Sequence, residues 1–158
     1  MIRKDNLTLF IEEFDLEFFI KTINKNLVEN YKNEEPLDLL NEKELGNLIG
    51  VLQRSVTVYS DKYLYKEVAN KLSFILYTIV KSHFLSNGNK RTGAQIFITL
   101  LAIYQSYETK NAVDIYTKIN LFRETANMTI YIAESSPSDI SNVMDKVELW
   151  IKDILNKS

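Results

Sequence analysis

The ten residues from His83 to Thr92, HFLSNGNKRT, combine a base, a tight turn and two cations in one short stretch. His83 is the only histidine of the chain, and a neutral imidazole can accept a proton from an attacking hydroxyl group. Gly88 can adopt backbone angles that other residues avoid. Lys90 and Arg91 follow at the predicted start of a helix, where unpaired amides and the helix dipole favour an anion. This combination predicts phosphoryl or nucleotidyl transfer.

Lys90 and Arg91 carry the wrong charge for a helix N-terminus, which supports the same prediction. Each cation is unfavourable there by roughly 0.3–1 kcal/mol, and a bound polyphosphate would reverse this penalty. Asn89 is a candidate N-cap of the helix. Ordinary interpretations exist for each feature: a lone histidine is most often packed or capping, Asn-Gly is a common turn, and Lys-Arg pairs usually lie in solvent. Their occurrence together in ten residues favours a site.

Two strongly apolar helical segments flank this stretch. The first begins near Lys66 and places apolar residues at spacings of three and four. Its stripe consists of Val68, Leu72, Leu76, Ile79 and His83. The second runs from Arg91 to Tyr107 with the same periodicity. Both segments are apolar almost all round, which predicts two central, buried helices.

The rest of the chain also favours helices, because only four glycines and two prolines interrupt it. The N-terminus predicts a first amphipathic helix, and further helices are predicted at Asp15–Tyr31, from Asn41, at Val113–Ile132 and at Ser138–Leu155, the last with Ser136 or Ser138 as a cap. Asn33–Pro36 is a predicted break. Val56–Tyr65 alternates apolar and polar residues, which predicts a short strand, hairpin or extended loop. We therefore expect an all-α fold and a single domain over residues 1–158.

Composition excludes several classes of protein. The chain has 158 residues, enough for one hydrophobic core, and no cysteine, which excludes disulfides, thiolate metal sites and cysteine nucleophiles and favours a cytoplasmic location. The net charge of −2 argues against a nucleic-acid partner. Glu12, Glu13 and Asp15 interrupt the apolar N-terminus, which makes it a poor signal peptide or membrane span. We expect no nucleic-acid and no membrane partner.

The stretch resembles the core motif of the Fic/Doc family, His-x-Phe-x-(Asp/Glu)-(Gly/Ala)-Asn-(Gly/Lys)-Arg. In this chain it is His83-Phe84-Leu85-Ser86-Asn87-Gly88-Asn89-Lys90-Arg91. The resemblance extends from about Glu44 over most of the chain. It implies a Fic/Doc-type helical bundle of about six or seven helices, with a flap near residues 56–65 that docks the target. The flap residues would be Thr57, Val58 and Tyr59.

The resemblance implies a role for each motif residue. His83 would be the general base that activates a target hydroxyl. The nucleotide phosphates would be held by Gly88, Asn89, Lys90 and Arg91. ATP would be the co-substrate. Mg²⁺ would be a cofactor bound with reduced affinity, because Asn87 replaces the acidic residue that normally binds it. Leu85 replaces a phenylalanine that serves as packing in the family.

Lys90 indicates the subgroup within this family. AMP-transferring Fic proteins usually have glycine there and a second arginine where this chain has Ala94. Asn-Lys-Arg-Thr resembles the Doc (death-on-curing) toxins, which implies γ-phosphoryl transfer to a Ser/Thr hydroxyl of a target protein, such as the translation factor EF-Tu. The chain has no match to the family's inhibitory (Ser/Thr)-x-x-x-Glu-(Gly/Asn) helix, so an antitoxin would be a separate chain.

Two alternatives stay open. One is a Fic-type protein adenylyltransferase, which transfers AMP. The other is a catalytically degenerate Fic-fold regulatory or interaction module, favoured by Asn87. A DNA-binding helix-turn-helix is disfavoured by the acidic net charge and by the lack of a basic recognition helix.

Overall fold

Seven α-helices account for most of the residues that the computed structural model describes, which are residues 3–32, 35–109 and 119–156. The helices are α1 (Asn6–Glu13), α2 (Leu16–Asn30), α3 (Glu42–Ser55), α4 (Val68–Lys81), α5 (Asn89–Thr109), α6 (Ile119–Glu134) and α7 (Ile140–Asn156). A two-stranded antiparallel hairpin, β1 (Val58–Tyr59) and β2 (Lys62–Tyr63), joins α3 to α4, and a 3₁₀ turn at Pro137–Asp139 precedes α7. The all-α prediction with one short extended element is confirmed.

Local capping explains where the first helices begin. The Asp5 carboxylate accepts a hydrogen bond from the Thr8 amide at 2.7 Å, and the Asp15 carboxylate accepts one from the Phe18 amide at 3.0 Å. Asp15 therefore ends the N-terminal helical segment and starts a new helix, because a capping aspartate satisfies amides that lack a partner. The predicted helix from Asp15 is confirmed, and the segment before it is the separate short helix α1.

Helices α4 and α5 lie at the centre of the bundle, as their sequence pattern predicted. α4 packs against α3, α5, α6 and α7. Gly93 lets α5 approach α4 closely, because a Cβ atom there would lie 3.0 Å from Cγ2 of Val80. Their fully buried core side chains include Leu72, Ile75, Leu76, Ile79, Ile96, Phe97 and Leu100.

Two predicted element boundaries change, and a third lies outside the described residues. α4 ends at Lys81, so His83 leaves the helix and its apolar stripe. The structure describes α6 as Ile119–Glu134, and residues 113–118 of the predicted helix lie outside the described residues. Ser136 caps a 3₁₀ turn by accepting from the Ser138 amide, so that α7 begins two residues later than predicted.

The predicted hairpin forms around a two-residue turn. Ser60 and Asp61 have φ angles of 50° and 63°, the left-handed backbone that matches the twist of a two-residue hairpin. The ring of Tyr65 stacks on Phe74 of α4 with 4.5 Å between centroids, and burial raises the pKa of the Tyr65 phenol. The fully buried Lys71 lies 4.7 Å from the ring centroid of Tyr63. The hairpin is thus fixed to the N-terminal half of α4.

None of the helices in the described ranges is long and apolar enough to cross a membrane.

Candidate active site

A cavity of about 670 Å³ opens where α4 ends and α5 begins. Its motif lining consists of His83, Asn87, Gly88, Asn89, Lys90 and Arg91. Glu35, Pro36, Val80 and Ala133 complete it. The structure therefore brings together every motif residue to which the sequence assigned catalysis, phosphate binding or metal binding.

Gly88 shapes the turn at the floor of this cavity. Its φ angle is +75°, and a Cβ atom would lie 2.1 Å from Cδ2 of the buried Leu37. Its carbonyl accepts a hydrogen bond from the Thr92 amide at 2.9 Å, so the N-cap position of α5 belongs to Gly88. The expectation that Asn89 is the N-cap is wrong, because Asn89 is the first helical residue.

Asn89 closes the motif loop instead of capping the helix. Its Oδ1 accepts a hydrogen bond from the Leu85 amide, and its Nδ2 donates to the Leu85 carbonyl, both at 3.1 Å. Leu85 is buried, which confirms that an apolar residue serves as packing at this motif position. The amide side chain thereby holds both ends of the turn that contains Asn87 and Gly88.

The start of α5 provides donors and positive charge. The amides of Asn89, Lys90 and Arg91 precede the first intrahelical bond, and they make no hydrogen bond within the described part of the chain. Lys90 is exposed and forms no ion pair in those ranges. Since α5 is 21 residues long, its dipole adds to the attraction for an anion. The unfavourable placement of both cations, inferred from the sequence, is present in the fold.

Arg91 is held in place by residues that precede α3. Its Nη1 donates to the Glu35 carbonyl oxygen at 2.7 Å, and its guanidinium carbon lies 4.8 Å from the ring centroid of Tyr31. A guanidinium has five N–H donors, so most of them stay available to phosphate oxygens. The stacking and the hydrogen bond orient the group at the edge of the cavity.

A segment without regular secondary structure, residues 35–41, lies against the motif loop. The Pro36 carbonyl accepts a hydrogen bond from Asn87 Nδ2 at 3.0 Å. Asn24 of α2 holds the other end, since its Oδ1 accepts from the Leu40 amide at 3.0 Å. The sequence indicated only a break here, and Glu35 and Pro36 were missed as cavity residues.

His83 lies just after the C-cap of α4 with a φ angle of +52°. Such left-handed backbone costs a residue with a side chain of order 1–2 kcal/mol, and strained residues cluster at functional sites. The side chain is exposed, and it makes no hydrogen bond within the described ranges. The ordinary interpretation of a packed core histidine is therefore wrong, and the imidazole is accessible from solvent.

Glu44 is a third residue that the sequence did not associate with the site. Its Oε1 accepts from the Asn41 amide and its Oε2 from the Ser86 amide, both at 3.0 Å. The first contact belongs to the capping box of α3, for which the Asn-x-x-Glu pattern is a recognisable signal. The second contact joins residues 42 positions apart and connects the start of α3 to the motif loop.

The predicted docking residues Thr57, Val58 and Tyr59 do not line this cavity. Glu44 places the start of α3 beside the end of α4, so the two helices run antiparallel and the hairpin joins their opposite ends. α4 is 14 residues long, which corresponds to about 21 Å at 1.5 Å per residue. Docking at the hairpin stays a prediction, and the structure does not bring it together with His83.

The sequence model of the Fic/DOC family matches residues 13–101, more than half of the chain. The chain belongs to the Fic/DOC family. The match runs from the end of α1 into α5 and contains the whole motif loop and the 35–41 segment. Neither the curated proteins nor the solved structures gave a match. Fic/DOC proteins are generally transferases, and the helical bundle with its short hairpin is consistent with the Fic fold.

Proposed function

We propose that this Fic/DOC protein transfers the γ-phosphoryl group of ATP to a Ser or Thr hydroxyl of a target protein, as Doc-like toxins do. The observation that carries the proposal is the cavity in which an exposed imidazole faces the same space as the start of α5 and its two cations. Lys90 and Ala94, which stand where AMP-transferring relatives usually have glycine and arginine, favour the γ-phosphate over AMP.

The proposed step needs one base and several charge-stabilising groups. His83 accepts the hydroxyl proton as the oxygen attacks the γ-phosphorus, and the bond from that phosphorus to the bridging oxygen of ADP breaks. ADP leaves with the bonding electrons, and the imidazolium then releases its proton to solvent. The α5 amides, Lys90 and Arg91 stabilise the negative charge of the phosphates, the main contribution to such reactions.

Oxygen donors suited to Mg²⁺ are present in the cavity. Because Nδ2 of Asn87 donates to the Pro36 carbonyl, its Oδ1 remains as an acceptor for a cation. Mg²⁺ bound with ATP would neutralise phosphate charge, and it commonly takes one or two protein ligands plus phosphate oxygens and water.

The 35–41 segment offers a docking surface closer to His83 than the hairpin. Leu39 is 68% exposed, and its amide and carbonyl groups have no partner in the described part of the chain. Exposed backbone amide and carbonyl groups can pair with an extended peptide, and side chains then determine specificity. We propose that the target lies along this segment with its hydroxyl above His83.

Labelled ATP distinguishes this function from its alternatives. Incubation with bacterial lysate, and with purified EF-Tu as a first candidate target, should label protein from γ-labelled ATP and not from α-labelled ATP. Label from the α-phosphate alone would establish AMP transfer instead. Absence of label from either, with nucleotide binding retained, would support the non-catalytic module that Asn87 suggests.

Arg91→Lys tests the phosphate contact without changing the net charge. Lysine lacks the planar donor fork and the stacking on Tyr31, so ATP affinity should fall about tenfold, the equivalent of one charge-assisted hydrogen bond. Isothermal titration calorimetry with ATP measures the change. Arg54→Lys, an equally conservative change of an exposed arginine on α3, is the matched control and should bind ATP normally. Equal affinity of both variants would contradict the role of Arg91.

A further inference from the structure

We infer that Glu35 supplies the carboxylate that the motif lacks, and that with Oδ1 of Asn87 it binds the divalent cation of the nucleotide. This inference rests on the proposed function, because it assigns metal ligands in the same cavity. Glu35 lies 52 residues before Asn87 in the chain, so no pattern within the motif could reveal it.

Hydrogen bonds fix Glu35 beside the motif loop. Its own carbonyl accepts from Arg91 Nη1 at 2.7 Å, and the carbonyl of the next residue, Pro36, accepts from Asn87 Nδ2 at 3.0 Å. Two adjacent residues thus each bind a different motif side chain. Both Glu35 and Asn87 line the cavity, so the two residues border the same space.

The charge of Glu35 conflicts with a cavity that binds only anions. Among the described residues that line the cavity it is the only acidic one, and its carboxylate forms no ion pair in those ranges. A carboxylate repels the phosphates of ATP if nothing stands between them. A divalent cation held by the carboxylate would instead attract the phosphates. Mg²⁺ is commonly bound in this way, by one or two carboxylates together with substrate phosphates.

Two protein side chains are enough to bind a metal ion that is also coordinated by the phosphates of a nucleotide. In the described ranges no group of three or more histidines, cysteines or acids could hold a metal alone. Glu35 and Asn87 offer two oxygen-bearing side chains, and Mg²⁺ usually completes its coordination with phosphate oxygens and water. We therefore expect little metal binding without nucleotide and clear binding with it.

The test compares nucleotide affinity with and without metal. Wild type and Glu35→Gln are titrated with β,γ-imido-ATP in Mn²⁺ and in EDTA, and electron paramagnetic resonance follows the bound Mn²⁺. Glu29→Gln is the matched control, since Glu29 is exposed on α2, pairs with Lys32 at 2.9 Å and does not line the cavity. The measured quantity is the gain in affinity that Mn²⁺ provides.

Mn²⁺ should strengthen nucleotide binding in wild type and in Glu29→Gln. In Glu35→Gln the gain should be about tenfold smaller, which is the usual loss of metal affinity when a residue that supports a metal site is removed. Nucleotide binding in EDTA should be unchanged or tighter. Adding Asn87→Asp to Glu35→Gln should restore the gain. An unchanged gain in Glu35→Gln, or equal tightening with and without metal, would overturn the inference and leave the proposed function intact. No nucleotide binding by wild type in either condition would overturn both.

Discussion

Replacing His83 with alanine should lower phosphoryl transfer about 10²- to 10⁴-fold, the usual contribution of a general base. The imidazole is exposed and makes no hydrogen bond in the described ranges, so its loss removes a proton acceptor and little else. ATP affinity should stay the same, because the proposed phosphate partners belong to α5. Transfer of γ-label to the target, with calorimetric titration of ATP in parallel, measures both quantities.

Ser82→Ala provides the control for this experiment. Ser82 is the exposed C-cap residue directly before His83. Its backbone amide donates to the Thr78 carbonyl at 3.0 Å, and this is its only hydrogen bond within the described residues. Its alanine variant should transfer phosphate normally. If His83→Ala also did so, the motif would not be the catalytic centre, and the non-catalytic module would become the better interpretation.

Gly88→Ala should destabilise the protein by about 2–4 kcal/mol and abolish tight nucleotide binding, because two effects add. The left-handed φ of +75° disfavours any side chain, and the new Cβ atom would lie 2.1 Å from Cδ2 of Leu37. The buried Leu37 side chain must shift to relieve this contact, and Leu37 directly follows the two residues whose carbonyls hold Arg91 and Asn87. Urea unfolding and ATP titration report the two consequences.

Gly46→Ala is the matched control on a different helix. A Cβ atom at Gly46 in α3 meets nothing within 4 Å, so alanine should raise stability by about 0.5–1 kcal/mol. Combining Gly88→Ala with Leu37→Ala removes the steric contact and leaves the backbone strain, so ATP binding should recover more than stability does. Equal unfolding midpoints for the two single glycine variants would contradict this account of the turn.

The central helices were predictable because the sequence signals that specify them come from residues close together in the chain. Apolar spacing in α4 and α5, the Asn41–Glu44 capping box and the alternation near residues 56–65 each specify one element within a few residues of sequence. The motif cavity was predictable for the same reason, since its proposed catalytic and phosphate-binding residues lie within ten positions of each other.

The missed residues depend on contacts between distant parts of the chain. Glu35 and Pro36 bind motif side chains that lie 56 and 51 residues away, and Glu44 reaches Ser86 across 42 residues. Periodicity carries no information about such pairs. His83 was assigned to the helical stripe because its spacing fits, and only the end of α4 at Lys81 removes it from that face.

At position 83, the residue best suited to the backbone conformation differs from the residue that the proposed reaction needs. Glycine tolerates a φ of +52° without the penalty that histidine incurs, and it is the residue most often found just beyond a helix C-cap. A sequence optimised for folding alone would therefore place glycine at residue 83. Histidine there lowers the thermodynamic stability of the chain, so thermostable variants selected without an activity screen would tend to lose this residue first.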